Sequence, residues 1–406
     1  MTTRRSRARE LPRHVTTRGG LLAVVVSAAS VLSGCAHLTH TFGQIYPAGR
    51  AFRVELWTGP SSSVGSAVVA EDRVAVAWVS SRTLSGKPVA KVAWARVSSS
   101  RGPCGRAAPG DDVRGDLNSL RLECAVGYHA PWQVTTVRRV VAPVAVAVVF
   151  GRQRQPVSAW ATRRGVWISE PGLPPRIAIR GRIDAVALSG NQSGRLVLAA
   201  ILQVGGGGRM QVLESTAGRW QLRETRLVTP SAWIAAQALP NGYAVAFQST
   251  LNSVVIEEHR GAATREFDLG ITGRATLGLA PHNRVIAAYA GVRLNSHLRV
   301  IGLFDPNSGH SVSANDPCHA RPIAVGWTTR PVVVFQAGCS ALARARDRLY
   351  ALGGAQTILY GAGTSGPVVD ALAGSTSRQL TVTLERGSGS GGRVGYEIAL
   401  YPSGWR

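Results

Sequence analysis

Lysine is almost missing from this chain of 406 residues: Lys87 and Lys91 are the only two, and acids are scarce, with 22 Asp and Glu against 46 Lys and Arg. So few carboxylates leave little material for hydrolysis by paired carboxylates. No spacing singles out a pair either. Glu257 and Glu258 point to opposite faces of any strand that holds them, while Asp184, Asp268 and Asp370 fall at strand ends, where Asp caps turns. The nine histidines show no HExxH or kindred metal spacing, and there is no Gly-x-Ser-x-Gly elbow. His259, His282 and His297 read as polar strand-end residues. The glycine runs at 205–208 and 387–392 are not followed by Lys-Ser or Lys-Thr before a helix, so they are flexible turns and no phosphate cradle. No cofactor, no metal and no catalytic residue is expected on these grounds. After the first 35 residues no apolar run is long enough to span a bilayer.

Cysteine is sparse too, at five. The first ends a segment with a basic start (Arg4, Arg5, Arg7, Arg9, Arg13, Arg18), an apolar run from Leu21 to Leu32, and then Ser33-Gly34-Cys35. The run is too short to span a membrane. These parts resemble the lipobox of bacterial lipoprotein signal peptides. The resemblance implies cleavage before Cys35, acyl chains of palmitate type on that residue, and a place at the outer face of the cytoplasmic membrane or beyond it. Two acyl chains suffice for stable attachment. Residues 1–34 are then the signal, 35–50 a lipidated tether and 51–406 the working domain.

With Cys35 assigned to lipid, the remaining cysteines form two sequence-local pairs, Cys104 with Cys124 and Cys318 with Cys339. An oxidising envelope allows both to be disulfides, each worth about 3 kcal/mol in the chain-entropy model. Four cysteines permit three connectivities, and locality favours this one. A zinc site is the rival, but no CxxC pair is present and an exported protein disfavours free thiolates.

The formal charge of +24 falls to about +19 when the six Arg and one Glu of the signal are removed. Nearly all of it is arginine. Such a surplus attracts polyanions, which at this address are phospholipid headgroups, phosphate-bearing wall polymers or acidic glycans rather than nucleic acid.

Past residue 50 there is almost no amphipathic helical period. Short runs of Val, Ala, Ile and Leu alternate with Gly, Ser, Asn and Pro turns, which is an all-β signature. The most apolar runs begin at Arg73, Val144, Arg195, Gly242, Arg284, Arg330 and Gln379, mostly 40 to 50 residues apart, with 71 in the first interval. Near-continuous apolar character implies strands covered on both faces, as the second strand of a propeller blade is. Companion runs complete four-stranded units such as IDAVALSG, GRLVLAAIL, RMQVLES and RWQLRETRL. The last unit has three strands, and FRVELWTG at 52–59 supplies its fourth. The expected fold is a seven-bladed β-propeller of four-stranded antiparallel blades closed by the N-terminal strand. Residues 98–130 would be a stapled excursion between the first and second blades. A two-domain split near residue 130 would make the rhythm and the ring closure coincidences.

No WD or kelch signature is in register. Thr162–Trp167 and Ser215–Trp220 are similar to the Asp-box hairpin of sialidase-type propellers but lack its Asp, so they read as hairpin turns with a Trp packed between blades. Connections from strand two to three, and from strand four to the next blade, share one rim. That rim is the candidate ligand face, with Arg152, Arg154, Arg293, Arg344 and Arg346 as its arginines. Guanidinium groups suit bidentate contacts to phosphate or carboxylate. The expected function is a non-catalytic, lipid-anchored binding or scaffold module for an envelope protein or an anionic envelope polymer. The alternative is a glycan-active hydrolase or lyase on the same fold.

Overall fold

The computed structural model describes residues 133–315, apart from 153, 192 and 217, and outside that stretch the strands between Gln44 and Pro402. Cys35, Cys104, Cys124, Cys318, Cys339, Arg344 and Arg346 lie outside the described residues, as does the signal-like segment. Among the described residues the fold is all-β, with one 3-10 turn at Pro281–Asn283 as its only helical element.

The strands form antiparallel sheets of four in simple up-and-down order. In one, β1 (Ile183–Gly190), β2 (Leu196–Val204), β3 (Gly207–Thr216) and β4 (Arg219–Val228) pair in sequence. In the next, β5 (Ala235–Leu239), β6 (Gly242–Gln248), β7 (Val254–Arg260) and β8 (Ala263–Asp268) do the same. Short Gly- and Asn-bearing turns make each pairing local. Phe52–Trp57 pairs with Val394–Pro402 at the edge of the C-terminal sheet, so strands from the two ends of the chain share a sheet. Gln44–Ile45 adds a short parallel strand beside Gln356–Tyr360.

First strands of successive sheets lie side by side, in the order Ser61–Ala70, Ala145–Phe150, Ile183–Gly190, Ala235–Leu239, Ile271–Ala280, Arg321–Trp327 and Val368–Thr376. The last of these approaches Ser61–Ala70 again. The core sits between neighbouring sheets. In β2, Val197, Ala199 and Ile201 pack toward the sheet of β5–β8, while Leu198 and Ala200 pack toward the sheet before. Every residue from Val197 to Ile201 is fully buried, which is why this strand reads as an unbroken apolar run instead of alternating. Small Ala and Gly residues let the sheets approach, and Trp160 and Phe247 fill the wider gaps.

Two sequence expectations are corrected here. The run at Val144 does not form a second strand: Ala145–Phe150 is the first strand of its sheet, with Pro156–Thr162 second. It is continuously apolar because both of its faces meet neighbouring sheets, Ala147 and Val149 on one side, Val146, Val148 and Phe150 on the other. The excursion near 98–130 is not a connection between sheets either. Its ends are the third strand, Val89–Arg96, and the fourth, Gln133–Val137, of a single sheet. Ser98–Ser100 pairs with Gly127–His129 and draws its two stems together.

The two Trp-bearing hairpins form as expected. Thr162 pairs with Gly165 around a tight turn, and Trp167 packs between two sheets. Ser215 pairs with Trp220, which packs between the next two, its Nε1 donating to Glu170 Oε1 at 3.0 Å.

Candidate functional site

Two groupings of chemically able side chains stand out. The first is buried where β4 meets β6 and β7. In the β6–β7 ladder Tyr243 lies opposite His259 and Val245 opposite Glu257, so Tyr243, Glu257 and His259 share the face turned toward β4. A bulge at Arg223 re-aims the following residue, and Glu224 arrives from β4 on the same side. The rings of Tyr243 and His259 stack at 4.4 Å, and the phenol donates to Glu224 Oε2 at 3.2 Å. His259 Nε2 lies 3.0 Å from Glu257 Oε1 and 3.4 Å from Glu224 Oε2, within ion-pair range although neither oxygen is in line for a hydrogen bond. Arg226 donates to Glu257 at 3.0 Å and to Glu266 at 2.8 Å.

The electrostatics follow from this crowding. Glu224 and then Glu257 raise the His259 pKa to about 9, against the opposing effect of burial. Burial, reinforced by the Glu224 charge, pushes the Tyr243 phenol well above its usual value. Burial alone would raise Glu257, but His259 and Arg226 hold it below the usual carboxylate range. At neutral pH the cluster therefore holds an imidazolium and a neutral phenol, and neither ring is a free base.

Glu224, Glu257 and His259 place their ligand atoms within 4.8 Å of one another, close enough to suit a divalent cation. A metal would first have to expel the His259 proton and loosen Arg226. Glu257 and Glu258 are divided between the two faces of β7 as the alternation predicts, and Glu258 accepts from Arg260 Nε at 2.6 Å. His259 is not the isolated strand-end residue the sequence implied. Its role comes from Glu224 on a neighbouring sheet, which no sequence spacing displays.

The same pattern recurs elsewhere. Glu214 receives Arg195 and Arg223, Glu170 receives Arg176, and Asp305 lies 3.5 Å from Arg284. Asp268 accepts from Ser253 Oγ and from the amide of Gly270. Among the described residues most carboxylates thus hold outer strands and turns together.

The second grouping is at one end of the sheets. Arg138 and Arg139 follow Gln133–Val137, Arg163 and Arg164 form the turn between Pro156–Thr162 and Gly165–Ser169, and Arg180 and Arg182 bracket the step into β1. Gly165 pairs with Arg180, and the Arg182 carbonyl accepts from Gln203, so these turns are neighbours at a common end. All six arginines are exposed, and none has an acidic partner among the described residues. Val141, Val204, Leu251, Leu294 and Leu298 project at the same end with large exposed areas.

Of the candidates named from sequence, Arg293 lies at this end, its Nη2 donating to Ser313 Oγ at 3.0 Å. Arg152 and Arg154 do not. Because Ala145–Phe150 is a first strand, their turn joins strands one and two and falls at the opposite end. There Arg152 packs against Gly194 of the next sheet, and the Arg154 carbonyl accepts from Arg73 Nη1 at 2.7 Å.

No family model and no curated protein matches the chain. Its structure is similar to that of polysaccharide lyase Uly1, with 8% identity, 90% of this chain and 95% of that one covered, and a TM-score of 0.51. The β-propeller domain of the Trilobed protease from Pyrococcus furiosus aligns at 7% identity over 87% of this chain and 94% of its own, with a TM-score of 0.49. Acylaminoacyl peptidase of Pyrococcus horikoshii aligns at 9% identity over 82% of this chain and 49% of its own, with a TM-score of 0.46. At such identities the likeness concerns fold alone: the chain is an all-β protein of antiparallel four-stranded sheets whose structural neighbours are β-propeller proteins.

Proposed function

We propose that the protein is a lipid-anchored, non-catalytic β-propeller of the cell envelope that binds an envelope protein or an anionic envelope polymer through its basic end. The ring has seven blades and is closed by the N-terminal strand. Pairing of Phe52–Trp57 with Val394–Pro402 and the approach of Val368–Thr376 to Ser61–Ala70 support that closure. Lipidation of Cys35 rests on the Leu32-Ser33-Gly34-Cys35 motif.

The observation that carries the binding role is the segregation of charge. Among the described residues most acids pair with arginines within and between sheets, whereas six exposed arginines at one end have no ion-pair partner. Unpaired guanidinium groups on rigid turns are pre-organised for phosphate or carboxylate, so little ordering entropy opposes binding.

The buried Tyr243–His259 cluster favours a second reading, a glycan-active lyase. It ranks lower because β-elimination needs a general base. His259 is held protonated, Tyr243 is held neutral, and both lie between packed sheets.

The test is equilibrium binding of the chain from residue 51 onward to acidic glycans, polyphosphate and anionic vesicles at low and moderate salt. Saturable binding that survives moderate salt and weakens at least fivefold in Arg163→Ala/Arg164→Ala supports the reading. Binding that vanishes with modest salt and ignores these substitutions refutes it.

A further inference from the structure

Of the eleven large apolar side chains exposed among the described residues, Val134, Leu222, Leu227 and Val312 lie on outer strands and six lie in or beside connections at the arginine-bearing end. Leu251 is 79% exposed, Val141 71% and Leu298 54%, with Leu294 and Val204 at 41%. Each sits in, or beside, a connection at the arginine-bearing end. Val141 lies between Gln133–Val137 and Ala145–Phe150, Val204 at the β2–β3 turn, Leu251 between β6 and β7, and Leu294 and Leu298 between Arg284–Arg293 and Arg299–Asp305. Among described turns at the opposite end only Leu173 is comparably exposed.

Backbone bonds make this end one continuous surface. Thr229 donates to the Gln248 carbonyl, Leu294 to that of Gly270, and Gln203 to that of Arg182. Among the described residues the acids on it are two: Asp184, half-buried beside Arg182, and Asp268, engaged by Ser253 and Gly270.

A soluble polyanion has use for the arginines but none for projecting leucines. A protein partner has use for both, yet would require a contiguous apolar centre within a polar rim. Here Leu251 stands on one turn and Leu294 and Leu298 share another, while the six arginines lie on turns of the preceding sheets, so apolar tips and guanidinium groups occupy separate parts of one end. That arrangement suits a lipid interface, where apolar tips enter the headgroup–acyl boundary while arginines meet phosphates and snorkel.

We propose that the end of the molecule bearing Arg138, Arg139, Arg163, Arg164, Arg180 and Arg182 together with Leu251, Leu294 and Leu298 docks on an anionic lipid surface. This rests on the reading of the basic end as a binding face and extends it to a lipid ligand. Because each basic residue near such a surface contributes about fivefold in partitioning, the turns act together as a reversible foot that holds at moderate salt. Its orientation would fix the opposite end, where Arg152 and Arg154 lie, toward the aqueous space.

The experiment is co-sedimentation of the full chain carrying Cys35→Ser, which has no acyl anchor, with vesicles of phosphatidylcholine alone or with added phosphatidylglycerol. The gain on adding phosphatidylglycerol is compared between variants, to each of which the N-terminal segment with its six arginines contributes equally. Replacing Arg163, Arg164, Arg180 and Arg182 with Ser lowers that gain at least tenfold. Leu251→Ser/Leu298→Ser lowers it severalfold, whereas Arg152→Ser/Arg154→Ser leaves it within twofold. Far-ultraviolet circular dichroism checks that each variant is folded.

Polyphosphate is the parallel ligand. If it binds as tightly as the vesicles and the leucine variant behaves as wild type, the lipid inference is overturned while the binding-module reading stands. If neither vesicles nor polyphosphate binds, the lipid inference and the anionic-polymer form of the binding reading are both overturned.

Discussion

Raising the pH should weaken this protein through one residue. His259 has a folded-state pKa near 9 against about 6.5 for an unperturbed imidazole. A group whose pKa is raised by folding stabilises fully below its unfolded value, and that contribution is lost as pH climbs through the folded one. The window is therefore about pH 6.5 to 9. At about 1.4 kcal/mol per unit the shift is worth about 3 kcal/mol at most. A side chain one-fifth exposed and shared between two carboxylates retains about 1 to 2 kcal/mol of that. Such a loss moves Tm by only a degree or two in a domain this size. Urea unfolding of wild type and His259→Gln at pH 6, 7.5 and 9.5 is the better assay, paired with an NMR titration of the imidazole. The wild type should be the more stable by that amount at pH 6, and the gap should close by pH 9.5. A gap that stays constant from pH 6 to 9.5, or an imidazole titrating near 6.5, would refute the placement of His259 between Glu224 and Glu257.

Two further outcomes follow from the same region. Gly242 has φ of 154°, and a Cβ there would stand 1.9 Å from the His259 carbonyl oxygen, so Gly242→Ala should cost about 2 to 4 kcal/mol in urea unfolding; a change under about 0.5 kcal/mol would mean that β6 and β7 are not so closely paired. Millimolar zinc or a chelator at pH 7 should leave Tm unchanged within a degree, because His259 is protonated and Arg226 occupies Glu257. A zinc-dependent rise of several degrees that is absent from His259→Gln would instead identify the trio as a metal site.

Much of the architecture was legible in residue patterns. The four strands of β1–β4 and of β5–β8 were readable because each is an apolar run ended by Gly, Asn or charged residues, and the hairpin turns keep pairing local. The error at Val144 has a physical origin: continuous apolarity reports coverage on both faces, and first strands between sheets are covered as fully as second ones. That one slip of phase put Arg152 and Arg154 at the wrong end and hid Arg163-Arg164 and Arg180-Gly181-Arg182, whose basic pairs at turns were visible in the sequence. The Glu224–Tyr243–Glu257–His259 cluster was illegible for another reason. It depends on the register between two sheets and on a bulge at Arg223, neither of which leaves a mark in spacing. Its one trace is the charged triplet Glu257-Glu258-His259 where a strand that began as Val254-Val255-Ile256 would be expected to remain buried.

The central claim is that one end of the sheets is the working face. Hydrogen exchange of the full chain carrying Cys35→Ser, with and without anionic vesicles, tests it most directly. Protection should rise in the turns at 138–144, 163–164, 205–206 and 249–253 and stay unchanged at 170–175, 261–262 and 306–309. Protection confined to the latter set, or spread evenly over both ends, would contradict the account.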